Sequence, residues 1–545
     1  MLKKRAIPTM LACTSGLLVL VPVGTVAANR SCDSLLSLKL ADATITSAFA
    51  VAQGPSTFLD DEGAPHQRPL DHSAPAELPA FCRVRITALT EIKIEVWLPA
   101  SGWNGNVEAI GIGGKAGIIP YANMATALKD GYATASTDTG HNKSQGESRW
   151  ALGHPERVVD FGYLSIHVMT VIAKKVIENF YGTGSRISYF NGCSSGGRQG
   201  LKEAQRYPDD YDGILSGDPT NNYTRVQVAA PFWVAWLAQK DPESYIPTSK
   251  LPAINAASVA ACDALDGVKD GLIEDPRRCS RYMKDPSVLS CKGSDSVTCL
   301  TAKQLETLKQ IYAGYHEANG EEVYPGSMPG HETHWNFIAT ADPSKPLTDD
   351  AAVGRVGFLK YFVFDDPNWD YRTWDFERDL PMMEKKLASV LNATDPNIGS
   401  FRAHGGKLLL YTGWTDPDIS PLDTIHYYKD VVSILSGVKP DAFQREGEDF
   451  FRRVNQVRDS VRLFLAPGMD HCGGGPGPNE FDAFAPLVNW VEHNQAPEKI
   501  IASHLTKGEV DRTRPLCPYP MTAQYTGQGS INDAANFVCR VPASH

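Results

Sequence analysis

The chain has no excess of positive charge. Its 52 lysines and arginines stand against 63 aspartates and glutamates, a formal net charge of −11. That balance argues against a nucleic-acid surface and suggests only solubility. No run of like charge is long enough to act as a tail. No C-x-x-C pair occurs, which makes a zinc site a poor account of the cysteines. No glycine-rich loop runs into Gly-Lys-Ser/Thr, so there is no phosphate-cradling P-loop. Beyond the N-terminus no segment reaches the ~18–20 apolar residues that a membrane span needs. What remains is ordinary globular composition, 42% hydrophobic and 21% charged, in 545 residues. That length can bury a large core and more than one domain.

The N-terminus reads as a secretory signal over residues 1–28. Lys3, Lys4 and Arg5 form a basic start, and an apolar stretch follows from Ile7 to Val23. It is short for a membrane anchor and is broken by Pro8, Gly16 and Pro22. Val26-Ala27-Ala28 offers small residues for cleavage. The mature protein is then expected to start near Asn29 and to be secreted or periplasmic. Cysteine usage agrees. One of the 11 cysteines, Cys13, lies in the signal, and the other ten form an even set. In an oxidising compartment that set implies five disulfides. Sequence does not fix their connectivity. Spacing favours Cys262 with Cys279, Cys291 with Cys299 and Cys517 with Cys539, which leaves Cys32 with Cys82 and Cys193 with Cys472.

The chemistry centres on Asn191-Gly192-Cys193-Ser194-Ser195-Gly196-Gly197. An apolar run, Ile187 to Phe190, precedes it and a helical pattern from Arg198 follows. Strand, sharp turn and helix around Gly-x-Ser-x-Gly make a nucleophile elbow, with the serine exposed at the turn. A plain Gly/Ser turn is the bland alternative. Other strands are legible at Ile92–Leu98, Val107–Ile112, Tyr132–Asp138 and Tyr211–Gly217, and a helix at Ser165–Tyr181. Strands alternating with helices imply a mostly parallel sheet. The strand ending at Ile112 runs into Gly113-Gly114-Lys115-Ala116-Gly117, where a backbone amide can approach a substrate carbonyl. The chain then turns irregular from about Asn221 to His404, as an inserted domain over the active site would. Strand patterns return at Gly406–Tyr411 and Val461–Leu465.

A serine hydroxyl is a weak nucleophile and needs a base oriented by a carboxylate. Ser194, Asp416 and His471 follow the hydrolase chain order, and each sits in a loop just after a strand. Asp418 is the second choice of acid, and Asp470 reads as a loop charge. If Ser194 and His471 touch, Cys193 and Cys472 must be close. A cysteine nucleophile at 193 is the weaker reading, because exported cysteines pair.

Gly192-Cys193-Ser194-x-Gly196-Gly197, then Gly413-x-x-Asp416, then His471-Cys472, resembles the tannase/feruloyl esterase family. That family includes the hydrolase of mono(2-hydroxyethyl) terephthalate. The resemblance covers essentially the whole mature chain. It implies an α/β fold, an α/β-hydrolase sheet formed by residues 29–220 and 405–545 with a large lid inserted at 221–404. It also implies hydrolysis of a small aromatic ester, the Cys193–Cys472 bridge and the local cysteine pairings. Oxyanion amides are expected from Ser195 and Gly114, with Gly113 as the alternative. The lid segment Cys262 to Leu272 is an acidic turn by residue content, and it lacks EF-hand spacing. By resemblance it holds a structural calcium on the Asp263, Asp266 and Asp270 side chains and the Val268 and Leu272 carbonyls. No organic cofactor, nucleic acid or membrane span is expected, and oligomeric state stays open. Galloyl, feruloyl and terephthaloyl esters all fit, and the lid aromatics Trp335, Phe358, Tyr361, Phe362 and Trp369 could form a slot or a core. Ser195 after the nucleophile and Ile112 in the glycine loop depart from the family pattern and leave acyl choice open. A peptidase, or a non-catalytic binding protein on the same scaffold, is the competing class.

Overall fold

The computed structural model describes residues 30–59, 65–69, 74–89, 91–349, 351–443 and 446–542. The signal reading of residues 1–28, with Cys13, lies outside the described residues.

Nine strands make one sheet. They are β1 (Ala43–Val51), β2 (Phe81–Ala88), β3 (Ile92–Pro99), β4 (Val107–Ile110), β5 (Ala133–Thr137), β6 (Ser188–Cys193), β7 (Gly213–Gly217), β8 (Lys407–Gly413) and β9 (Val461–Ala466). The spatial order is β1-β2-β3-β5-β4-β6-β7-β8-β9. β1, β2, β3 and β5 pair antiparallel in turn. From β5 to β9 every neighbouring pair is parallel. The patterns explain the split. β1 buries only Ile45 and Ala48, on either side of a bulge, as a half-covered edge does. β4, β5 and β7 are buried at every position, as strands covered on both faces must be.

Helices cover both faces: α1 (Tyr121–Lys129), α2 (Ser165–Tyr181), α3 (Ser195–Arg206), α4 (Pro421–Leu435) and α5 (Phe484–His493). α2 buries Ile166, Met169, Ile172, Ala173, Val176, Ile177 and Phe180, one stripe at helical spacing. It ends where Gly182 takes φ 77°, a left-handed cap that lacks a Cβ penalty.

Between β7 and β8 the chain adds nothing to the large sheet. It builds a second hydrophobic core from Phe232, Trp233, Leu308, Ile311, Trp335, Phe358, Trp374 and their neighbours. Trp150 and Phe161, which precede β6, join that core as well. Trp335, Phe358, Tyr361 and Phe362 are buried in it and Trp369 packs against it, so the aromatics considered for a slot pack as core. The structure pairs Cys32–Cys82, Cys193–Cys472, Cys262–Cys279, Cys291–Cys299 and Cys517–Cys539. Among the described residues no helix is long and apolar enough to cross a membrane.

Candidate active site

The parallel strands end at one edge of the sheet, and the loops leaving them carry the polar residues. Ser194 stands between β6 and α3 with φ 64° and ψ −125°. A side chain with positive φ stores about 1–3 kcal/mol of strain and persists only where its surroundings demand it. The demand is visible. A Cβ on Gly192 would lie 2.6 Å from the Gly196 carbonyl, and one on Gly197 would lie 2.5 Å from the Gly217 oxygen. The turn therefore closes only with glycine at both places. The Ser194 amide donates to the Gly217 carbonyl (2.9 Å), which fastens the turn to β7. Ser195 is the first residue of α3, where an amide has no acceptor within the helix. The glycine loop after β4 passes the serine at Gly113, whose Cβ position is 3.7 Å from the Ser194 Cβ. Gly114 takes φ 62° and turns its open side toward Gln145.

The residues expected as acid and base, Asp416 and His471, stand in the loops after β8 and β9. His471 Nδ1 lies 2.6 Å from Asp416 Oδ2. Asp416 is buried, and its other oxygen accepts the amides of Asp418 (2.8 Å) and Ile419 (2.9 Å). So Asp416 makes the contact with His471, while Asp418 contributes its backbone amide to holding Asp416. Burial disfavours the imidazolium, but the Asp416 carboxylate outweighs it, with Asp218 and Asp418 adding to the effect. His471 is therefore more basic than an ordinary histidine.

Asp218 was not singled out by sequence reasoning. It follows β7 in a left-handed conformation, φ 34°, and is fully buried. One of its oxygens accepts the Thr412 hydroxyl (2.9 Å) and the Gly413 amide (2.8 Å). The other accepts the Cys472 amide (3.0 Å). Asp218 thus ties the acid loop to the histidine loop, beside the Cys193–Cys472 disulfide that ties the histidine loop to the elbow. Burial and the neighbouring Asp416 charge push its carboxyl up. The local signal was an aspartate directly after a strand, which looks the same whether it braces a site or a surface.

Asp470 is a correction. It is buried, not a loop charge, and its carboxylate takes His331 (2.8 Å), His334 (2.6 Å) and the Thr415 hydroxyl (3.1 Å). The partners lie 55 or more residues away in the chain, so nothing near Asp470 announces its burial.

In the segment after Cys262, Asp263 accepts the amides of Asp270 and Gly271, both at 3.1 Å. Asp266 accepts the Val268 amide (2.9 Å) and Asp270 the Leu272 amide (3.1 Å). Asp270 also pairs with Arg514, and its carbonyl accepts from Arg512 (2.9 Å). Burial and the nearby carboxylates push Asp266 up, and Glu274 up to about 8. These carboxylates do not bring three ligand atoms within 4.8 Å of one another, as five other groups of His, Cys, Asp and Glu among the described residues do.

The chain matches the tannase and feruloyl esterase family over residues 80–540. It is 38% identical to an uncharacterised esterase of Xanthomonas campestris across 94% of this chain and 92% of that protein. It is 31% identical to a probable feruloyl esterase B-1 of Aspergillus fumigatus, across 84% and 85% of the two chains. The crystal structure of feruloyl esterase B from Aspergillus oryzae superimposes with a TM-score of 0.79 at 28% identity, covering 93% of this chain and 99% of that one. Tannin acyl hydrolase from Aspergillus niger shares the fold, with a TM-score of 0.74 at 22% identity over 93% and 94%. An elbow serine, a carboxylate-bound histidine and a hydrolase sheet agree with these likenesses, and the chain belongs to the tannase and feruloyl esterase family of carboxylic ester hydrolases.

Proposed function

We propose that this chain is an exported serine esterase acting on esters of aromatic carboxylic acids, feruloyl or galloyl in type. Terephthalate monoesters are the other acyl class of the same shape. The observation that carries the mechanism is the 2.6 Å Asp416–His471 contact, clipped to the strained Ser194 elbow by the Cys193–Cys472 bridge. Asp416 holds the Nδ1 proton of His471, which leaves Nε2 as the nitrogen able to take a proton. Ser194 Oγ attacks the ester carbonyl as its proton passes to Nε2. The amides of Ser195 and Gly114 (or Gly113) receive the oxyanion, a contribution of about 3–4 kcal/mol per donor. Collapse breaks the ester C–O bond, and the alcohol leaves with the proton from Nε2. Water then attacks the acyl-enzyme, giving one proton to His471, which returns it to Ser194 as the acid departs. The aromatic acyl preference rests on the names of the relatives, among them feruloyl esterases.

Residues 221–404 are proposed to act as a lid on this site, and residues 1–28 as the export signal. The lid's acidic segment is proposed to hold a structural calcium. Its donor set fits a hard cation: three aspartates and the Val268 and Leu272 carbonyls are all oxygen ligands. Four carboxylates, Asp263, Asp266, Asp270 and Glu274, stand beside Arg512 and Arg514, and burial, with the neighbouring carboxylates adding, pushes Asp266 and Glu274 up. Calcium would stiffen the segment and take no part in acyl transfer.

The test is hydrolysis of methyl ferulate, methyl gallate, a terephthalate monoester and p-nitrophenyl acetate by the mature protein, each beside Ser194→Ala. Serine-dependent turnover of one aromatic ester supports the reading and names the acyl group. Turnover of the acetate alone removes the aromatic preference.

A further inference from the structure

His331 and His334 lie three residues apart around a short 3-10 turn, Glu332–His334. Their rings stack at 4.2 Å between centroids, 24° from parallel. Both Nδ1 atoms point at one buried carboxylate: His331 at 2.8 and 3.0 Å from the two Asp470 oxygens, His334 at 2.6 Å from one. The three ligand atoms all fall within 4.8 Å of one another. The turn is rigidly supported. Glu332 is fully buried and accepts the Tyr312 hydroxyl (2.6 Å), the Ser258 hydroxyl (2.9 Å) and the Gly330 amide (3.2 Å). On the other side Thr415 donates to Asp470 (3.1 Å), which fixes the carboxylate's orientation. The His334 side chain is 53% exposed, so the cluster opens to solvent.

We propose that His331, His334 and Asp470 form a binding site for a divalent transition-metal cation of the zinc class. Two imidazoles and a carboxylate suit zinc and its neighbours, while hard calcium prefers all-oxygen sites. Metal–ligand distances of about 2.0–2.2 Å put tetrahedral ligands roughly 3.3 Å apart. The observed Nδ1–oxygen separations of 2.6–3.0 Å need to open by about 0.3–0.7 Å. A neutral imidazole that donates from Nδ1 must move its proton to Nε2 to ligate through Nδ1. Each ring keeps one proton in that exchange, and the dication turns the local charge from −1 to +1. The exposed side at His334 leaves a position for water. Thr415, whose hydroxyl lies 3.1 Å from Asp470, takes the part that outer hydrogen bonds play in orienting metal ligands, and Glu332 holds the turn that carries both histidines. The site is separate from the acidic segment at 263–272 and does not depend on any role for Ser194.

The experiment uses the mature protein stripped with chelator and returned to excess calcium, which saturates the acidic segment. Zinc is titrated calorimetrically, and cobalt(II) is followed by its visible ligand-field absorption. The expected result is one equivalent of zinc and a cobalt band. His334→Ala should weaken both by about tenfold or more, and His331→Ala/His334→Ala should abolish them. His404→Ala, at a surface pair with Asp209, should change neither. Melting curves establish that each variant is folded, and His334→Ala, at a half-exposed position, is the variant least able to disturb folding. Zinc binding unchanged in the double variant overturns the proposal, as does absence of both zinc heat and cobalt absorption in the unaltered protein.

Discussion

Ser194, His471 and Asp218 show how one residue's environment sets its role. Ser194→Ala should abolish ester turnover while the melting curve stays in place, because a small side chain fits the same strained turn. Residual hydrolysis at the unaltered rate would remove the serine mechanism. Asp416 makes His471 more basic than an ordinary histidine, and only the neutral imidazole can accept the serine proton. The acid limb of kcat/KM should therefore lie above about pH 6.5, the unperturbed histidine value. In Asp416→Asn that limb should move toward lower pH and kcat should fall. Linkage has the matching sign. A histidine raised in the folded state stabilises the protein below its unfolded value and loses that contribution as pH rises through its folded value. Asp218 accepts the Gly413 and Cys472 amides, and its carboxylate also comes within 4.8 Å of the His471 ring, so it is expected to act as a positioning residue whose charge adds to the basicity of His471. Asp218→Asn keeps the volume but replaces one acceptor oxygen with a donor. We expect kcat to drop on the order of 10–100-fold with KM little changed, the pattern of a displaced base. An unaltered kcat in a folded variant would reduce Asp218 to a structural brace.

At the scale of elements, strands β3 to β9, the helix α2 and the elbow helix were legible because burial imposes their patterns locally, while β1, β2, α1, α4 and α5 are not among the expected elements. The Ser165–Tyr181 helix has the bounds that its apolar stripe predicts. The strand expected over Val107–Ile112 ends earlier, at Ile110, because the chain must leave the sheet to carry Gly113 past Ser194. The elbow, the Gly413-x-x-Asp416 loop and the His471-Cys472 pair were legible as motifs. What was not legible depends on distant partners. Asp218, Asp470 and the His331–His334 turn acquire meaning only when loops more than 50 residues apart meet. The clearest such meeting is covalent. The Cys193–Cys472 bridge closes a span of 279 residues, an effect of about 5–6 kcal/mol on the chain-entropy model. Because the bridge joins the neighbours of Ser194 and His471, its loss should reach catalysis as well as stability. Cys193→Ser/Cys472→Ser should melt at a lower temperature. Where it is still folded it should also lose kcat, measured well below its melting point. A variant that melts early but turns over normally would confine the bridge to stability.

In the whole molecule, two large hydrophobic clusters of the sheet and its helices meet a third in the inserted segment, with tethers crossing between sheet and insert. Arg198, in the elbow helix, is buried and donates to the carbonyls of Gly162 (2.8 Å), Leu391 (3.1 Å) and Phe161 (3.2 Å) at the insert's core. Arg355, from the insert, donates to the Asp418 carbonyl (3.0 Å) in the acid loop. The C-terminal segment adds a third tether. Its hairpin brings Arg512 and Arg514 to Asp270, the Ala523 amide donates to Glu274 (2.9 Å), and Val268 packs with Cys517, Ala523 and Phe537. The acidic segment therefore joins parts of the chain that begin and end far apart. A cation that binds only the folded segment stabilises the whole protein by mass action. Chelation should lower the melting temperature by several degrees, and added calcium should restore it. Asp266→Asn should melt lower from the start and respond less to either treatment. Turnover by the chelated enzyme, measured well below its melting point, should stay close to that of the calcium-loaded one, because Ser194, His471 and Asp416 are held by the sheet and the 193–472 bridge. An immediate loss of kcat on chelation at low temperature would instead place the cation's influence at the catalytic loops. A melting temperature indifferent to both chelator and calcium would leave Arg512 and Arg514 to hold that segment without a cation.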